Sequence, residues 1–389
     1  MPTPRPYWRL SAFYLSYFGA LGALVPYWAL YLKSLDFSAQ AIGELMAILM
    51  ATRIVAPNLW GWLADRSGRR MPVVRLGSLL AAITFFGVFF GQTYLWLALV
   101  MTGFSFFWNA VLPQFEATTL NHLGPNAERY SRVRVWGSIG FIVTAGGLGP
   151  LLEEFGTGLL LPVLAALFAA IWVSTLFVED PPGPAAPHPP GRLAAILGRR
   201  DVLAFLAVCF LMQASHGPYY SFYSIYLEET GHGRALIGQL WVLGVVAEIG
   251  VFMVMHRLLP GIGAKVMLLV SLSLAAVRWL LIGWFVDSLP LLMLAQVLHA
   301  ASFGSYHAAA MYLVHQLFVG RHQGRGQALY SSVSFGAGGA LGSLGAGYLW
   351  APLGGAWVYT LAAVTSLLAV VVAWYGVRGD AARNAAPDG

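Results

Sequence analysis

Residues 61–70 read GWLADRSGRR and lie at the junction of two apolar runs, 39–63 and 72–91. Each run reaches the roughly 20 residues that an α-helix needs to cross a bilayer. Gly68 permits a tight turn between the runs, and Gly61 permits a close approach of helices. The stretch therefore predicts two membrane-spanning helices that are joined by a short basic loop.

The composition of the whole chain also indicates a membrane protein. Of the 389 residues, 58% are hydrophobic and only 10% are charged, whereas ordinary globular domains carry roughly 45–50% apolar and about 25% charged residues. So few charges cannot cover a soluble surface of this size, which excludes a soluble enzyme and a disordered chain. Cys209 is the only cysteine, which excludes a disulfide scaffold and a cysteine metal cluster.

Apolar runs of spanning length occur twelve times along the sequence. They lack alternation with a period of two, which argues against a transmembrane β-barrel. We therefore predict an all-α membrane protein with twelve transmembrane helices. The runs cover residues 8–33, 39–63, 72–91, 94–120, 131–152, 157–178, 201–227, 235–256, 265–285, 290–318, 326–350 and 354–377.

The basic residues predict the topology. If the N-terminus lies in the cytoplasm and the helices alternate in direction, most of the 22 Lys and Arg residues fall in cytoplasmic segments, and the outer loops hold only Lys33 and Arg234. This distribution follows the positive-inside rule. It predicts a multi-pass protein of a bacterial-type inner (cell) membrane with both termini in the cytoplasm. It also accounts for the net charge of +6 without a nucleic-acid partner.

A proline-rich stretch divides the chain into halves. Residues 179–200 read EDPPGPAAPHPPGRLAAILGRR, and proline at this density interrupts helices and extends the backbone. We predict an N-terminal six-helix bundle at 1–178, a cytoplasmic linker at 179–200, a C-terminal six-helix bundle at 201–378 and a disordered cytoplasmic tail at 379–389.

The two halves carry an internal repeat. A shift of 195 residues aligns PYWALYL (26–32) with SFYSIYL (221–227) and IGELMAILMATR (42–53) with IGQLWVLGVVAE (237–248). A parallel repeat of six plus six helices, joined by a linker, is the plan of major facilitator superfamily (MFS) transporters.

The loop at 61–70 matches the signature of that superfamily, G-x-x-x-D-R-x-G-R-R, at every fixed position. Five further segments resemble the phenylpropionic-acid permease branch of the superfamily. They are VRVWGSIGFI (133–142), MQASHGPYYSFYSIYL (212–227), LWVLGVVAEIGVF (240–252), AAVRWLLIG (275–283) and QVLHAASFGSYHAAAMYL (296–313). The resemblance implies the MFS fold, with two pseudo-symmetric six-helix bundles, and proton-linked uptake of an aromatic carboxylate. Related branches carry nucleosides or sugars.

The loop is predicted to act as a conformational latch. Asp65 can face the N-terminus of a helix in the second half or pair with an arginine, and such contacts hold one of two conformations. The alternative is a plain basic loop that sets topology. The predicted gating residues are Gly61, Asp65, Arg66, Gly68, Arg69 and Arg70.

Ionisable residues inside the apolar helices mark candidate sites, because a charge in lipid is costly. Glu248 and Arg278 lie near mid-depth of two helices that should be adjacent, and an ion pair would neutralise both. Two alternatives stay open. Either the pair is a static structural clamp, or Glu248 changes its partner from Arg278 to Arg53 or to a proton. Arg53 occupies the position of the repeat that is equivalent to Glu248.

Glu116 is a second candidate for substrate binding or proton coupling. It follows Pro113, which should kink its helix and open a cavity, and Asn109 lies two helical turns earlier on nearly the same face. Alternatively, Glu116 faces cytoplasmic water near the inner end of the helix. Arg134 is either a carboxylate ligand at the mouth of the cavity or an anchor to anionic lipid.

Histidines complete the set of candidates. His216 precedes a Gly-Pro pair, a predicted helix break that exposes backbone to a ligand. His307 lies nearest the middle of its helix and is a candidate hydrogen-bond donor to the substrate, whereas His299 is predicted to pack against polar backbone. His299, His307 and His315 are spaced by eight residues, too far apart to share a metal ion on one helix, so no metal site is predicted.

These observations predict a secondary active transporter that works by alternating access. The preferred hypothesis is proton symport of a small organic, aromatic carboxylate such as 3-phenylpropionate into the cell. Arg53 or His307 would meet the carboxylate, and Glu116 or Glu248 would carry the proton. The alternatives are a proton-linked nucleoside or sugar symporter, a drug or metabolite exporter, and a membrane sensor on a transporter scaffold.

The predicted partners are a small-molecule substrate, protons and the lipid bilayer, and the protein is predicted to be monomeric. The proton gradient is the predicted driving force, with no cofactor. The sequence contains no nucleophile–base set or nucleotide-binding loop, and we therefore do not predict an enzyme.

Overall fold

The computed structural model describes residues 7–180, 194–319 and 322–378, and every regular element in these ranges is helical. The α-helices are α1 (Tyr7–Ser34), α2 (Ala39–Ser67), α3 (Met71–Phe85), α4 (Tyr94–Leu123), α5 (Tyr130–Phe155), α6 (Leu160–Leu176), α7 (Ala194–Leu197), α8 (Arg200–Glu229), α9 (Arg234–Ile262), α10 (Ala264–Trp284), α11 (Leu289–His299), α12 (Tyr306–Leu317), α13 (Gln323–Ser331), α14 (Gly339–Leu353) and α15 (Gly355–Gly376). Short 3-10 turns follow α3, α4 and α5, and π-helical stretches at Ala300–Ser305 and Ser332–Gly338 join α11 to α12 and α13 to α14. The predicted all-α class is confirmed.

Among the described residues, eleven helices are long and apolar enough to cross a membrane. The remaining predicted span, 326–350, is helical too, but a π-helical stretch divides it into α13 and α14. Its glycines disfavour a continuous α-helix, yet the packing requires them. A Cβ atom at Gly338 or Gly342 would overlap the backbone of α8.

Local signals set the helix ends around the 61–70 loop. Ser38 caps α2 by accepting a hydrogen bond from the backbone N–H of Ala41 at 3.2 Å. At the other end, Gly68 adopts the left-handed conformation with φ of 65°, which glycine reaches without a steric penalty. Pro72 lies in the first turn of α3, where its missing N–H costs nothing.

The chain divides into two compact units. The first comprises Met1–Pro187 with Tyr223–Val242, and the second comprises His188–Phe222 with Leu243–Gly389. Most of the predicted linker, residues 181–193, and the predicted tail lie outside the described residues. The predicted bundle boundaries stay a prediction.

In the first unit, α1 packs along α5 and α6, while α4 packs against α2 and α3. Buried aromatic rings fill the interior, as in the stacked pair Phe13 and Phe115 with centroids 3.6 Å apart. Gly140 lets α5 reach α1, because a Cβ atom there would overlap the carbonyl of Leu15.

In the second unit, α10 packs against α15, and a large apolar cluster surrounds Phe205, Leu272 and Tyr306. Large apolar side chains are exposed on the outside of both units, among them Phe90 (79%) and Tyr375 (85%). Exposed apolar surface on this scale is typical of a protein whose solvent is lipid.

Candidate functional site

The first unit holds Arg53 at the middle of α2 by a polar network with α4. The Nε of Arg53 donates to the Oδ1 of Asn109 at 3.0 Å. The Nδ2 of Asn109 donates in turn to the carbonyl of Leu49 at 3.0 Å and to the Oγ1 of Thr52 at 2.9 Å. Asn109 is buried and Arg53 is half-buried, so the network fixes the guanidinium at mid-helix. The described residues provide no ion pair for Arg53 and no hydrogen bond to its Nη1 or Nη2.

Glu116 lies two turns from Asn109 on α4 and is half-buried. The hydroxyl of Tyr130 donates to its Oε1 at 3.1 Å. The guanidinium of Arg134 stacks on the ring of Phe18, with its Cζ 3.7 Å from the ring centroid. This geometry supports neither of the two predicted roles of Arg134 over the other.

Tyr17 is buried in the same unit and interacts electrostatically with Arg53, Glu116 and Arg134. The first unit therefore holds four of the predicted site residues, Arg53, Asn109, Glu116 and Arg134. Two cations and one carboxylate in an apolar surrounding form an environment that favours an anion.

The second unit buries Arg278 completely. Its Nε donates to the carbonyl of Ala295 at 3.0 Å, and the guanidinium stacks on Tyr219 and Trp279 with Cζ 4.1 Å and 4.6 Å from the ring centroids. Its Nη1 and Nη2 are buried and make no hydrogen bond with the described residues. A buried guanidinium whose N–H donors lack acceptors is costly in free energy unless a hydrogen-bond acceptor or an anion binds to it.

The predicted ion pair between Glu248 and Arg278 is not formed in the described structure. Glu248 instead lies beside His299, with Oε2 3.6 Å from Nε2, and Gly304 in the first π-helical stretch leaves room for the Glu248 side chain. The reason is the rotation of the helices, which turns Arg278 onto the face of Tyr219. His299 also lies against the backbone of Gly244, since a Cβ atom there would be 3.5 Å from the imidazole.

His216 and His307 lie in the same unit as that pair. His216 is buried beside Trp279 and binds the carbonyl of Met212 through Nδ1 at 2.9 Å, while its Nε2 has no hydrogen-bond partner in the described chain. The predicted helix break beside His216 is absent, since α8 continues through it. His307 contacts the hydroxyl of Tyr330 through Nδ1 at 3.2 Å.

A column of stacked rings runs along the break between α11 and α12. The ring of His299 stacks on Phe303 at 5.2 Å, and Phe303 stacks on His307 at 6.2 Å. Phe303 also contacts Phe335 of the second π-helical stretch at 6.3 Å. π-Helical segments are often found at functional sites. The signal available in the sequence was the four-residue spacing of these three rings.

The 61–70 loop contains an internal ion pair. The Nη2 of Arg70 lies 3.5 Å from the Oδ1 of Asp65, which is one of the two contacts predicted for Asp65. A further carboxylate, which sequence reasoning missed, caps the next helix. The Oδ1 of Asp180 accepts hydrogen bonds from the backbone N–H groups of Arg70 and Met71 at 3.0 Å and 2.8 Å.

Replacing Asp180 by alanine is expected to reduce the free energy of unfolding by about 1 kcal/mol, because two N–H donors at the start of α3 lose their acceptor. Thermal unfolding in detergent should show a fall in Tm of roughly 2 °C. Asp287→Ala is the matched control, since Asp287 is exposed and has no side-chain partner among the described residues. An equal fall in both variants would contradict the capping role.

The end of the first unit opposite the 61–70 loop, here termed the far end, carries a second polar network that sequence reasoning missed. Lys33 of α1 lies 3.7 Å and 3.2 Å from carboxylate oxygens of Glu228 and Glu229. Arg234 pairs with Glu228 at 2.9 Å, and its Nη1 donates to the carbonyl of Leu152 at 2.8 Å. These contacts join α1 and α5 to the ends of α8 and α9.

Close backbone packing accompanies this network. The hydroxyl of Tyr27 donates to the carbonyl of Ala145, and Glu153 accepts a hydrogen bond from the backbone N–H of Ala235 at 2.9 Å. A Cβ atom at Gly238 would overlap both Tyr27 and Ala145. The far end of this unit is therefore tightly closed.

Comparison with known proteins identifies the family of this chain. The sequence profile of the MFS_1 like family matches residues 7–361. A probable 3-phenylpropionic acid transporter of Escherichia coli (strain K12) is 30% identical over 367 residues, which cover 92% of this chain and 95% of the relative. A maltose permease of Geobacillus stearothermophilus is 27% identical over 347 residues, covering 87% of this chain and 86% of the relative.

A solved structure shares the fold. The crystal structure of a mutant form of the nucleoside transporter NupG superposes with a TM-score of 0.86 at 18% sequence identity, and the match covers 96% of this chain and 100% of that structure. The similar proteins are transporters and not enzymes. The chain therefore belongs to the MFS_1 like family and is a multi-pass membrane transporter of the major facilitator superfamily.

Proposed function

We propose that this transporter is a proton symporter that carries a small aromatic carboxylate, such as 3-phenylpropionate, into the cell. The observation that carries the proposal is Arg53. Its guanidinium lies at mid-helix in α2, is held by Asn109, and is left with Nη1 and Nη2 free of hydrogen bonds to the described residues. A paired set of N–H donors of this kind matches the two oxygens of a carboxylate.

The surroundings of Arg53 support an aromatic anion. A charge at mid-membrane is costly and usually meets a ligand or a partner. Buried rings of Tyr17 and Trp108 lie tilted at 5.1 Å from each other in the same unit, and aromatic side chains pack well against a substrate ring. The relative whose name refers to 3-phenylpropionic acid supports this substrate class.

The proton is proposed to bind at Glu248. His299 lies 3.6 Å away, and the guanidinium of Arg278 stacks on Tyr219 in the same unit. Protonation of Glu248 would remove the negative charge beside His299, so loading a proton changes which contacts are favourable. Glu116, which binds Tyr130, is the second candidate for this role.

A proton-linked symporter of nucleosides or sugars is the second candidate function. It is favoured by the structural similarity to a nucleoside transporter and by the maltose permease among the relatives. A neutral substrate would bind through hydrogen bonds to uncharged polar groups such as the imidazole of His307, and the charge of Arg53 would not be needed.

We propose a bacterial-type inner membrane, with the 61–70 loop on the cytoplasmic side, because the basic residues of this loop obey the positive-inside rule. Both termini then lie in the cytoplasm, and the far end of the first unit faces outward. The proposed working unit is a monomer that exposes its site alternately to the two sides.

The experiment that tests the proposal is counterflow in proteoliposomes with labelled 3-phenylpropionate and a panel of nucleosides and sugars as competitors. Arg53→Gln is expected to weaken substrate binding about 100-fold, since two charge-assisted hydrogen bonds of roughly 1.5 kcal/mol each are lost. Arg53→Lys should recover part of the affinity because the charge remains without the planar fork.

Arg257→Gln is the control, because Arg257 is exposed near the end of α9 and has no role in the proposal. Exchange of a nucleoside or sugar, with no competition by 3-phenylpropionate, would overturn the carboxylate proposal in favour of the second candidate. Ligand binding without exchange would indicate a sensor.

A further inference from the structure

We propose that the first unit binds the phosphate headgroup of an anionic phospholipid in a cavity at the 61–70 end. The cavity has a volume of about 350 Å³ and lies between the ends of α1, α4 and α5. Its lining consists of Tyr7, Leu10, His122, Leu123, Arg129, Arg132 and Val133. This site is separate from the network around Arg53.

The charges of the cavity favour an anion. Two arginines line it, and its described lining contains no Asp or Glu side chain. The guanidinium of Arg132 forms no hydrogen bond or ion pair with the described residues. Arginine binds phosphate oxygens through paired N–H donors, so Arg132 is able to hold a phosphate without breaking an existing contact.

The framework around the two arginines is well ordered by hydrogen bonds. The hydroxyl of Tyr7 donates to the carbonyl of Arg132 at 3.2 Å and accepts from the Nε1 of Trp136 at 3.0 Å. The Nε2 of His122 contacts the carbonyl of Glu179 at 2.8 Å. These contacts hold the start of α5 against α1, so the cavity is preformed in the absence of a ligand.

Features next to the cavity identify the ligand as a lipid rather than free phosphate. Trp8 is 67% exposed and stacks edge-on against Trp136 with centroids 5.4 Å apart, and tryptophan is enriched where a membrane meets water. From Arg132 an exposed apolar stripe continues along α5 through Val135, Ile139 and Val143. Their spacing of three, four and four residues places them on one helix face, where an acyl chain can lie.

Native mass spectrometry of the full-length protein in detergent tests this proposal, with phosphatidylglycerol and phosphatidylcholine as probes. Wild-type protein should retain phosphatidylglycerol more tightly than phosphatidylcholine. The double variant Arg129→Gln/Arg132→Gln should weaken phosphatidylglycerol binding about 30-fold, since each basic residue near a membrane surface contributes about 1 kcal/mol. Arg257→Gln, an exposed arginine outside the cavity, should bind as the wild type does.

Two further measurements separate the remaining outcomes. In the first, inorganic phosphate is added in place of lipid. Binding of phosphate alone to the wild-type protein, with no preference between the two lipids, would overturn the lipid assignment. Equal binding of phosphatidylglycerol by the double variant and by Arg257→Gln would overturn the site. Should the double variant fail to fold, Arg132→Gln alone, with an expected loss of about fivefold, gives the same test.

Discussion

Replacing Glu248 by glutamine is expected to abolish the pH-driven accumulation of substrate while leaving exchange across the membrane intact. Glutamine keeps the shape of the side chain beside His299 and can form hydrogen bonds, but it cannot release a proton. Exchange of labelled for unlabelled substrate needs no net proton movement, because the carrier crosses loaded in both directions. Accumulation against a gradient does need it, and only this part of the activity should disappear.

The size of the effect follows from the driving force. With one proton per substrate, a pH difference of one unit drives at most about tenfold accumulation. Wild-type proteoliposomes should approach that ratio, and Glu248→Gln should remain near equal concentrations inside and outside. Counterflow of labelled substrate, measured in the same vesicles without a pH difference, reports the exchange that survives.

Two matched carboxylate variants sharpen this experiment. Glu116→Gln removes the second candidate for the proton, which accepts a hydrogen bond from Tyr130. Glu154→Gln removes an exposed carboxylate that has no partner among the described residues and should behave as the wild type does. Loss of accumulation in Glu116→Gln, with normal accumulation in Glu248→Gln, would assign the proton to Glu116 instead.

Replacing Gly238 by tryptophan is expected to reduce uptake to the level of empty liposomes. In the described structure, Gly238 of α9 packs directly against Tyr27 and Ala145 at the far end of the first unit. An indole cannot occupy this space, so α9 must move away from α1 and α5. A transporter that works by alternating access has to close this end in every cycle, and the variant should be arrested with the far end open.

Gly250→Trp provides a control on the same helix. A Cβ atom at Gly250 meets no other atom within 4 Å, so tryptophan there should be tolerated and uptake should stay near the wild-type rate. Similar loss of uptake in both variants would show that any bulky residue on α9 inactivates the protein, and the closure of the far end would then not explain the arrest.

Labelling of a cysteine distinguishes an open far end from a misfolded protein. Glu153→Cys places a thiol next to the N–H of Ala235, and the single native thiol, Cys209, is buried. In the Gly238→Trp background, a membrane-impermeant maleimide should react with position 153 several-fold faster than in the parent. An unchanged rate would contradict opening of the far end.

Much of the fold was predictable from local sequence. The length and composition of each apolar run determine that it becomes a membrane helix, because the backbone must satisfy its own hydrogen bonds in lipid. The end of α2 at Gly68 was predictable for a similar reason, since glycine is favoured in a left-handed turn. The candidate residues Arg53 and Glu116 were found because the cost of a charge in lipid is a property of the residue type, and Asn109 was found by its spacing from Glu116.

The contacts among these residues were less accessible to sequence reasoning. Spacing along α4 placed Asn109 and Glu116 on nearly one face, but it did not reveal that Asn109 would bind Arg53 of another helix. The repeat aligned Arg53 with Glu248 without determining what either one contacts. The capping of α3 by Asp180 joins residues more than one hundred positions apart, and no local pattern reports such a contact.

The sequence by itself thus determined the helices, the family and the set of charged residues inside the apolar runs, because each of these depends on composition or on short-range spacing. Only the tertiary structure decided that Glu248 meets His299 rather than Arg278, and that Gly238 seats against Tyr27. Those outcomes depend on how each helix is rotated about its own axis. That rotation is decided by the packing of whole helix surfaces, in which small residues such as glycine allow close approach.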